Sequence, residues 1–233
     1  MANDEREVVG WFTSKGGSKV PILEGESKAD AIKRAFDKKD KEIEANKKQA
    51  DEKNKVIEDK KEALDKVDSK EFKDSLDKAK DTRPIQDKWR VDNTHTTQEF
   101  DERGCKMFTS KGGSTVAVDK SGDIISVCKA KGDDTTTGAG LLRHAVKMGG
   151  NKLDSFYGNH PFYVKNGFQP VSWTPFNKAY APDGWSKSGC GEEPVVFYKY
   201  VGVGNVKDIP LDKLPKFTGD DGYDNAMKYR DSH

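Results

Sequence analysis

The sequence is poor in cysteine and in long apolar runs, and each shortage excludes a class of protein. Three cysteines, Cys105, Cys128 and Cys190, form an odd set without CxxC spacing, so neither a disulfide framework nor a zinc or other metal site is predicted. No run approaches the roughly 20 apolar residues of a membrane-spanning helix. The opening MANDEREVVG has neither the basic nor the apolar region of a signal peptide. We therefore expect a cytoplasmic protein with reduced thiols.

The chain also lacks an excess of charge of either sign. It carries 41 basic and 40 acidic residues, a net charge of +1, which predicts neither a nucleic-acid nor a membrane-surface partner. Charged residues nevertheless make up 35% of the 233 residues, against about one quarter in an average globular domain. Part of the chain is therefore expected to bury little surface.

The charge is concentrated in one segment, residues 27–83, which has no glycine or proline and is dense in Lys, Glu and Asp. Acid-to-lysine pairs four residues apart, such as Glu44–Lys48, favour a helix from Lys28 to Val67. Apolar residues recur every seven positions, at Phe36, Ile43, Ala50, Ile57 and Leu64. The matching d positions are polar, so a coiled coil that binds a protein partner or a second copy and a single solvated helix both remain open. A second short helix, EFKDSLDKAK, is expected to end before Pro84, at a domain boundary.

The residues before the charged segment, 1–26, form a small unit. VVGWFTSKGGSKVPILEG predicts two strands around a glycine turn at Lys15–Gly17. The seven residues FTSKGGS recur at Phe108–Ser114. Neither copy has the GxxxxGK[ST] pattern that a phosphate-binding loop needs, so both are interpreted as hairpin turns.

Residues 84–204 have the pattern of a globular α/β domain with a mixed sheet. Strands are predicted at KMFTS, STVAV, DIISVCKA, KLDSFYG, FQPVSWTPF and EPVVFYKYV, with a helix at Leu141–Met148. The final segment, residues 205–233, is polar with two prolines and is expected to wrap the surface or fray.

One junction in this domain is a candidate anion site. The strand Asp123–Ala130 runs into GDDTTTGAG and then into the helix. A helix N-terminus offers unpaired N–H groups and the positive end of a dipole, and glycine lets an anion approach closely. The loop alone is equally typical of a plain connection between a strand and a helix.

The residues downstream resemble the second signature of the GNAT superfamily of N-acetyltransferases. LDSFYGNHPFYVKNGFQPVSW contains that family's aromatic–Tyr–x–Lys–x–Gly–Phe phrase at Phe162–Phe168. The glycine loop at Thr135–Gly140 is similar to the family's Arg/Gln–x–x–Gly–x–Gly/Ala loop, with Thr135 where the family has Arg or Gln. The resemblance implies a mostly antiparallel central sheet with flanking helices, acetyl-CoA as co-substrate and an amine as acceptor.

The resemblance also implies roles for individual residues. The pyrophosphate of acetyl-CoA would be held by the backbone of the loop residues Thr135, Thr136, Thr137, Gly138, Ala139, Gly140 and Leu141. Tyr163 would be the general acid that protonates the departing thiolate. Asn159 would contact the pantetheine arm, although it lies four residues from Tyr163 where the family has about seven. His160 is the first candidate for the base, ahead of His95 and His144.

Other residues of the domain are expected to be structural. Cys128 lies on an apolar strand and is interpreted as an inert buried thiol. Trp173, Phe176, Tyr180 and Trp185 form an aromatic-rich region that is typical of core or lid packing, although a cage for a cationic amine would use the same residues. Lys129 or Lys131 could supply the phosphate contact that Thr135 lacks.

A second hypothesis is that the protein has a structural or interaction role and no catalytic activity. The N-terminal phrase GWFTSKGGSKVPILEGESKADAIKRAF loosely resembles segments of phage head-associated and other phage-encoded proteins. That resemblance implies a virion-associated protein, or one that acts in the cytoplasm of an infected bacterial host cell. A GNAT-like domain in such a structural or interaction protein would have side chains filling the cleft that an enzyme keeps open for acetyl-CoA.

Overall fold

The described residues belong to two separate units, Met1–Glu58 and Asp59–His233. A computed structural model describes residues 7–13, 19–31, 33–35, 37, 64–88, 90–91, 95–181 and 191–233. Most of the predicted charged helix, including its heptad positions Ile43, Ala50 and Ile57, lies outside these residues. In the part of the chain that the structure describes, no helix has the length and apolar character needed to cross a bilayer.

The N-terminal unit contains the predicted hairpin. Strand β1 (Val8–Thr13) pairs antiparallel with β2 (Lys19–Leu23), and the predicted turn residues between them lie outside the description. A helical stretch begins at residue 28. Ser27 caps it, because its hydroxyl accepts from the N–H of Asp30 at 3.2 Å.

The second unit is mixed α/β. Its strands are β3 (Asp65–Val67), β4 (Lys106–Thr109), β5 (Thr115–Val118), β6 (Ile124–Cys128), β7 (Lys152–Phe156), β8 (Phe168–Thr174) and β9 (Val195–Tyr200). Its α-helices are α1 (Ser69–Asp81), α2 (Ile85–Lys88), α3 (Thr97–Glu102), α4 (Gly138–Lys147), α5 (His160–Lys165) and α6 (Gly222–Ser232). Each strand predicted after residue 105 is confirmed, with ends that differ by at most two residues.

Two antiparallel sheets form the core of this unit. One has the strand order β3-β4-β5-β6, and the other has the order β7-β9-β8. Strands β6 and β7 meet through one parallel bridge, Asp123 to Lys152, and no other pairing joins them among the described residues. The predicted α/β class and the predicted antiparallel strand pairing are confirmed.

Residues 65–81 differ from the prediction of a charged helix that continues to Val67. Asp65–Val67 form strand β3, which pairs with β4 through Val67 and Met107. The break predicted at Asp68 is confirmed, because its carboxylate caps α1 by accepting from the N–H of Glu71 at 2.9 Å. Helix α1 buries Phe72, Leu76 and Ala79 against β4 and β6, so this segment packs on the domain that the sequence placed after Pro84.

One apolar cluster spans both sheets and fixes α4 and α5 on them. It contains Val116, Val118 and Ile124 from the first sheet and Leu153, Val196 and Tyr198 from the second. Leu141, Leu142 and Ala145 of α4 and Tyr163 of α5 belong to the same cluster. The side chains that follow the glycine loop are therefore part of the core, which fixes the start of α4.

The C-terminal segment is ordered where the sequence predicted a polar tail. Helix α6 packs on β8 and β9, and it buries Ala226 and Arg230 completely. The backbone of Trp173 accepts from Phe217 and donates to Pro215, both at 3.0 Å, which attaches the preceding chain beside β8. The sequence pattern missed this helix because few of its residues are apolar and a charged residue occupies a buried position.

The buried charge of α6 joins the two sheets. The Arg230 guanidinium donates to both oxygens of Asp123, from Nη2 at 2.8 Å and from Nη1 at 3.2 Å. The next residue, Asp231, accepts from Lys152 Nζ at 3.0 Å. Asp123 and Lys152 are the two residues of the bridge between β6 and β7, so consecutive side chains of α6 hold both sides of it.

We expect Arg230→Met to lower the free energy of unfolding by about 3–5 kcal/mol, because it leaves the Asp123 carboxylate buried without its partner. Lys228→Met on the exposed face of the same helix is the matched control and should change it by less than about 0.5 kcal/mol. Urea unfolding measures both. Equal effects of the two substitutions would show that the pair does not hold the sheets together.

Candidate functional site

The glycine loop leads into α4, which begins at Gly138, three residues before the predicted start. Thr137 is its N-cap, and the Thr137 hydroxyl accepts from the N–H of Gly140 at 2.9 Å. Thr136 and Leu141 are buried, whereas Thr137 is exposed. The loop residues predicted to hold pyrophosphate are thus the first turn of a helix fixed by its own cap.

The glycine loop and the FYVKNGF phrase lie against each other. A Cβ atom on Gly138 would be 3.2 Å from Cζ of Phe162, which is tighter than an ordinary van der Waals contact. Phe162 is the first residue of the phrase and lies on α5. The structure therefore brings together the two motifs that the sequence separated by more than twenty residues.

A buried carboxylate organises the chain just before the loop. The side chain of Asp133 is fully buried, and it accepts from the hydroxyl of Ser110 at 2.5 Å and from the hydroxyl of Ser114. The hydroxyl and N–H of Thr135 donate to its other oxygen at 2.6 and 2.8 Å. Burial raises the pKa of Asp133, but these hydrogen bonds outweigh burial and hold the pKa below its usual value.

The second FTSKGGS copy forms the turn against which the side chain of Asp133 packs. It connects β4 to β5, as predicted, and Gly113 has a φ of +85°. A Cβ atom on Gly112 would lie 2.2 Å from Cγ of Asp133, so this position accepts only glycine without movement. The KGGS turn thus has a packing role next to the glycine loop. Sequence reasoning missed Asp133, although an aspartate two residues before Thr135, from whose N–H its side chain accepts, was a signal for such a turn.

Thr135 stands where the GNAT pattern has Arg or Gln. Its hydroxyl and its N–H are both hydrogen-bonded to this carboxylate. Lys129, one candidate for the missing cation, donates to the backbone oxygens of Asp133 and Ala130. Lys129 and Lys131 line a hollow of about 390 Å³ with Arg83, Pro84, Asp87, Ala130 and Gly132. The two lysines therefore lie beside the loop, on the side of β6 and α2.

Tyr163 and Asn159 converge on one serine. Asn159 Nδ2 donates to the Ser155 hydroxyl at 3.0 Å, and the Tyr163 phenol also forms a hydrogen bond with Ser155. Tyr163 is 8% exposed. Burial raises the pKa of its phenol to about 12, and the bond to Ser155 acts in the opposite direction. Tyr163 is therefore protonated at neutral pH, as a proton donor must be.

His160 has a hydrogen-bond partner at each ring nitrogen. Nδ1 lies 3.1 Å from the hydroxyl of Tyr198, and Nε2 lies 3.1 Å from Oδ1 of Asp208. Burial raises the pKa of Tyr198 above its usual value. Since both nitrogens are engaged, the geometry favours a positioning role for His160 over the role of general base.

The remaining candidates take packing positions. His144 makes an edge contact with Phe108 at 4.5 Å, and His95 stacks on Phe100 at 5.4 Å. Cys128 is buried, and burial raises the pKa of its thiol to about 11, as expected for an inert cysteine. Trp173 and Phe176 contact Lys216 and Phe156, respectively. Cys190, Trp185 and the side chain of Tyr180 lie outside the described residues.

An ion pair that the sequence did not predict lies at the end of β7. Arg90 donates to Glu193, and the other oxygen of Glu193 accepts from the N–H of Gly158 at 2.9 Å. A side chain at Gly158 would lie within 3 Å of both partners. Residues 103 positions apart meet here, so sequence spacing held no signal for this contact.

No protein-family model, no curated protein and no solved structure matches the chain. Among the described residues, no group of three or more His, Cys, Asp or Glu side chains is arranged to hold a metal ion. The chemistry of the site therefore has to be inferred from its own residues.

We expect the Asp133 carboxylate to make the fold acid-sensitive. An aspartate whose pKa is lower in the folded state stabilises the fold above its unfolded pKa of about 3.9, and this contribution is lost as pH falls toward the folded value. Asp133→Asn should therefore cost about 2 kcal/mol at neutral pH and progressively less as the pH falls below about 4. Denaturant unfolding at several pH values measures this.

The exposed neighbour provides the matched control. Asp134→Asn should leave both the stability and its pH dependence within about 0.5 kcal/mol of the wild type. If Asp133→Asn differed from the wild type by the same amount at every pH, the Asp133 charge would not be the cause of its effect.

Proposed function

We propose that the chain is an acetyl-CoA-dependent N-acetyltransferase with a GNAT-like domain. The observation that carries this proposal is the contact between Gly138 of the glycine loop and Phe162 of the FYVKNGF phrase. The resemblance rests on these two motifs. Their contact supports a single ligand site, because the loop offers backbone N–H groups and the phrase offers Tyr163.

The strand arrangement supports the same proposal. The resemblance implies that the strand before the glycine loop and the strand before the phrase separate and leave a gap for the pantetheine arm. Strands β6 and β7 are these strands, and the described residues join them only by the bridge between Asp123 and Lys152 at their amino ends. Toward their carboxyl ends, β6 pairs with β5 and β7 pairs with β9. A gap on that side would open toward the glycine loop.

In this proposal the backbone holds the pyrophosphate. The first turn of α4 presents N–H groups and the positive end of the helix dipole to an anion. The Thr135 hydroxyl does not donate to the phosphate, since it donates to Asp133. Asp133 instead fixes the conformation in which the following residues enter the helix.

Transfer would be direct, from the thioester to an amine held beside it. Tyr163 would donate its phenolic proton to the departing thiolate and recover it from solvent. Its hydrogen bond to Ser155 orients the phenol, and Asn159 keeps the Ser155 hydroxyl in place. The acceptor and its base are left unassigned.

One observation favours the alternative, a non-catalytic GNAT-like domain in a virion-associated or other interaction protein. Tyr163 is 8% exposed and already bonded within the fold, whereas an enzyme needs the phenol to reach the thiolate. The N-terminal hairpin and the charged segment are not needed for acetyl transfer, and they fit an interaction protein. Binding of acetyl-CoA distinguishes the two functions.

We expect the wild type to bind acetyl-CoA in the micromolar range by isothermal titration calorimetry, and Gly138→Glu to bind at least about 100-fold more weakly, because it places a negative charge at the loop. Gly138→Gln is the matched control: it makes the same contact with Phe162 without the charge, so it should retain more affinity. Absence of binding by a folded wild type would contradict the enzymatic function.

We expect Tyr163→Phe to lower kcat by about 10²–10⁴ with little change in acetyl-CoA affinity, because it removes the proton donor and keeps the ring. Thiol release during acetylation of a panel of amines measures kcat. Tyr200→Phe on β9 is the control and should keep the wild-type rate. A Tyr163→Phe protein as active as the wild type would remove Tyr163 from the mechanism.

A further inference from the structure

Residues 82–88 and 90 form a strap that is attached at one end to the chain just beyond β6. The Thr82 hydroxyl accepts from the N–H of Lys131 at 2.9 Å. The Arg83 guanidinium donates from Nη1 to the backbone oxygen of Lys129 at 2.8 Å. Both contacts are made to residues that follow the last residue of β6, so this end of the strap lies at the carboxyl end of that strand.

The other end of the strap is attached just beyond β7. Arg90 donates to one oxygen of Glu193, and the other oxygen of Glu193 accepts from the N–H of Gly158 at 2.9 Å. Gly158 follows the last residue of β7, and β6 and β7 run parallel at their bridge. The carboxyl ends of the two strands are therefore on the same side, and the strap crosses the mouth of the gap that the proposed function requires between them.

The Glu193 carboxylate at this mouth is a cation site that the protein fills with its own arginine. The side chains of Glu193 and Arg90 are 22% and 25% exposed, so neither charge is fully solvated. A Cβ atom on Gly158 would lie 2.7 Å from Oε2 of Glu193 and 2.9 Å from Nη2 of Arg90, and glycine leaves room for the pair. Departure of the guanidinium would leave a partly buried carboxylate, which is unfavourable unless another cation replaces it.

Arg90 has a second acidic partner on the strap itself. Its Nη1 lies 3.6 Å from Oδ1 of Asp87, whose Oδ2 accepts from Arg83 at 3.0 Å. At 3.6 Å the contact with Asp87 is an ion pair without a hydrogen bond, so it can shorten when the guanidinium leaves Glu193. The ion pair between Arg90 and Glu193 can therefore open like a latch while Arg90 keeps an acidic partner.

Glu193 is also near the proposed proton donor. Ser155, which is hydrogen-bonded to the Tyr163 phenol, lies three residues before Gly158, which donates to Glu193. Three residues span at most about 11 Å of extended chain. A molecule with two amines separated by a short aliphatic chain has the length to place one amine near Tyr163 and the other on Glu193.

We propose that Glu193 binds a second cationic group of the acceptor, and that the acceptor opens the strap by replacing the Arg90 guanidinium on this carboxylate. This inference rests on the proposed function, in which one amine of the acceptor attacks the thioester. That amine must lose its proton before attack, so the charge bound by Glu193 belongs to another group of the same molecule. The acceptor class is therefore a diamine, a polyamine or another amine that carries a second ammonium or guanidinium group.

An NMR titration of the full chain with cadaverine, an aliphatic diamine, tests this inference. The titration gives the Kd, and the N–H signal of Gly158 reports directly on the carboxylate of Glu193. We expect Glu193→Gln to weaken cadaverine binding by at least about tenfold, because the amide keeps an oxygen for Gly158 and loses the charge. Arg90→Met should strengthen binding by about threefold, because it removes the competing cation.

The neighbouring carboxylate provides the matched control. Glu192 is exposed and pairs with Lys178 at 2.7 Å, so Glu192→Gln should keep the Kd for cadaverine within about twofold of the wild-type value. Pentanediol, which has the same carbon chain as cadaverine and no charge, should not move the Gly158 signal of the wild type.

The outcomes separate this inference from the proposed function. Cadaverine binding that is unchanged in Glu193→Gln, that Arg90→Met weakens, or that leaves the Gly158 signal in place would show that the ion pair only holds the strap. A wild type that binds acetyl-CoA but not cadaverine would overturn this inference alone. A folded wild type that does not bind acetyl-CoA would overturn the proposed function and, with it, the acceptor role of Glu193, whatever its affinity for cadaverine.

Discussion

The joint between the two sheets is the constraint on which the rest of the structure depends. Asp123 and Lys152 form the bridge between β6 and β7, and consecutive residues of α6 hold them as ion pairs. Because the strands meet only there among the described residues, the geometry of everything beyond the bridge follows from it. The glycine loop, the bulge in β6 and Tyr163 all follow the bridge along one strand or the other.

A second constraint acts on the loop itself. The buried Asp133 carboxylate accepts hydrogen bonds from hydroxyl groups of the FTSKGGS turn and of Thr135. Glycine at position 112 leaves room for this carboxylate. This arrangement, together with Lys129, which donates to the backbone oxygen of Asp133, holds the loop in one conformation. Thr135 is part of this arrangement, because its hydroxyl and N–H both donate to Asp133.

The strand before the glycine loop contains one residue in an unfavourable state. Ser126 combines a left-handed backbone with a buried hydroxyl that has no hydrogen-bond partner among the described residues. Such features persist only where surrounding contacts enforce them, as the Thr115 hydroxyl does for Ser126.

The sequence by itself determined the strands after residue 105 and the helix after the glycine loop, because their apolar periodicity and turn residues are local signals. Only the tertiary structure decided that residues 65–67 pair as a strand and that the polar C-terminal segment forms a helix with a buried arginine. Both depend on partners at least 40 residues away, Met107 for Val67 and Asp123 for Arg230. The burial of Asp133 and the backbone conformation of Ser126 were likewise decided by packing and by the register of neighbouring strands.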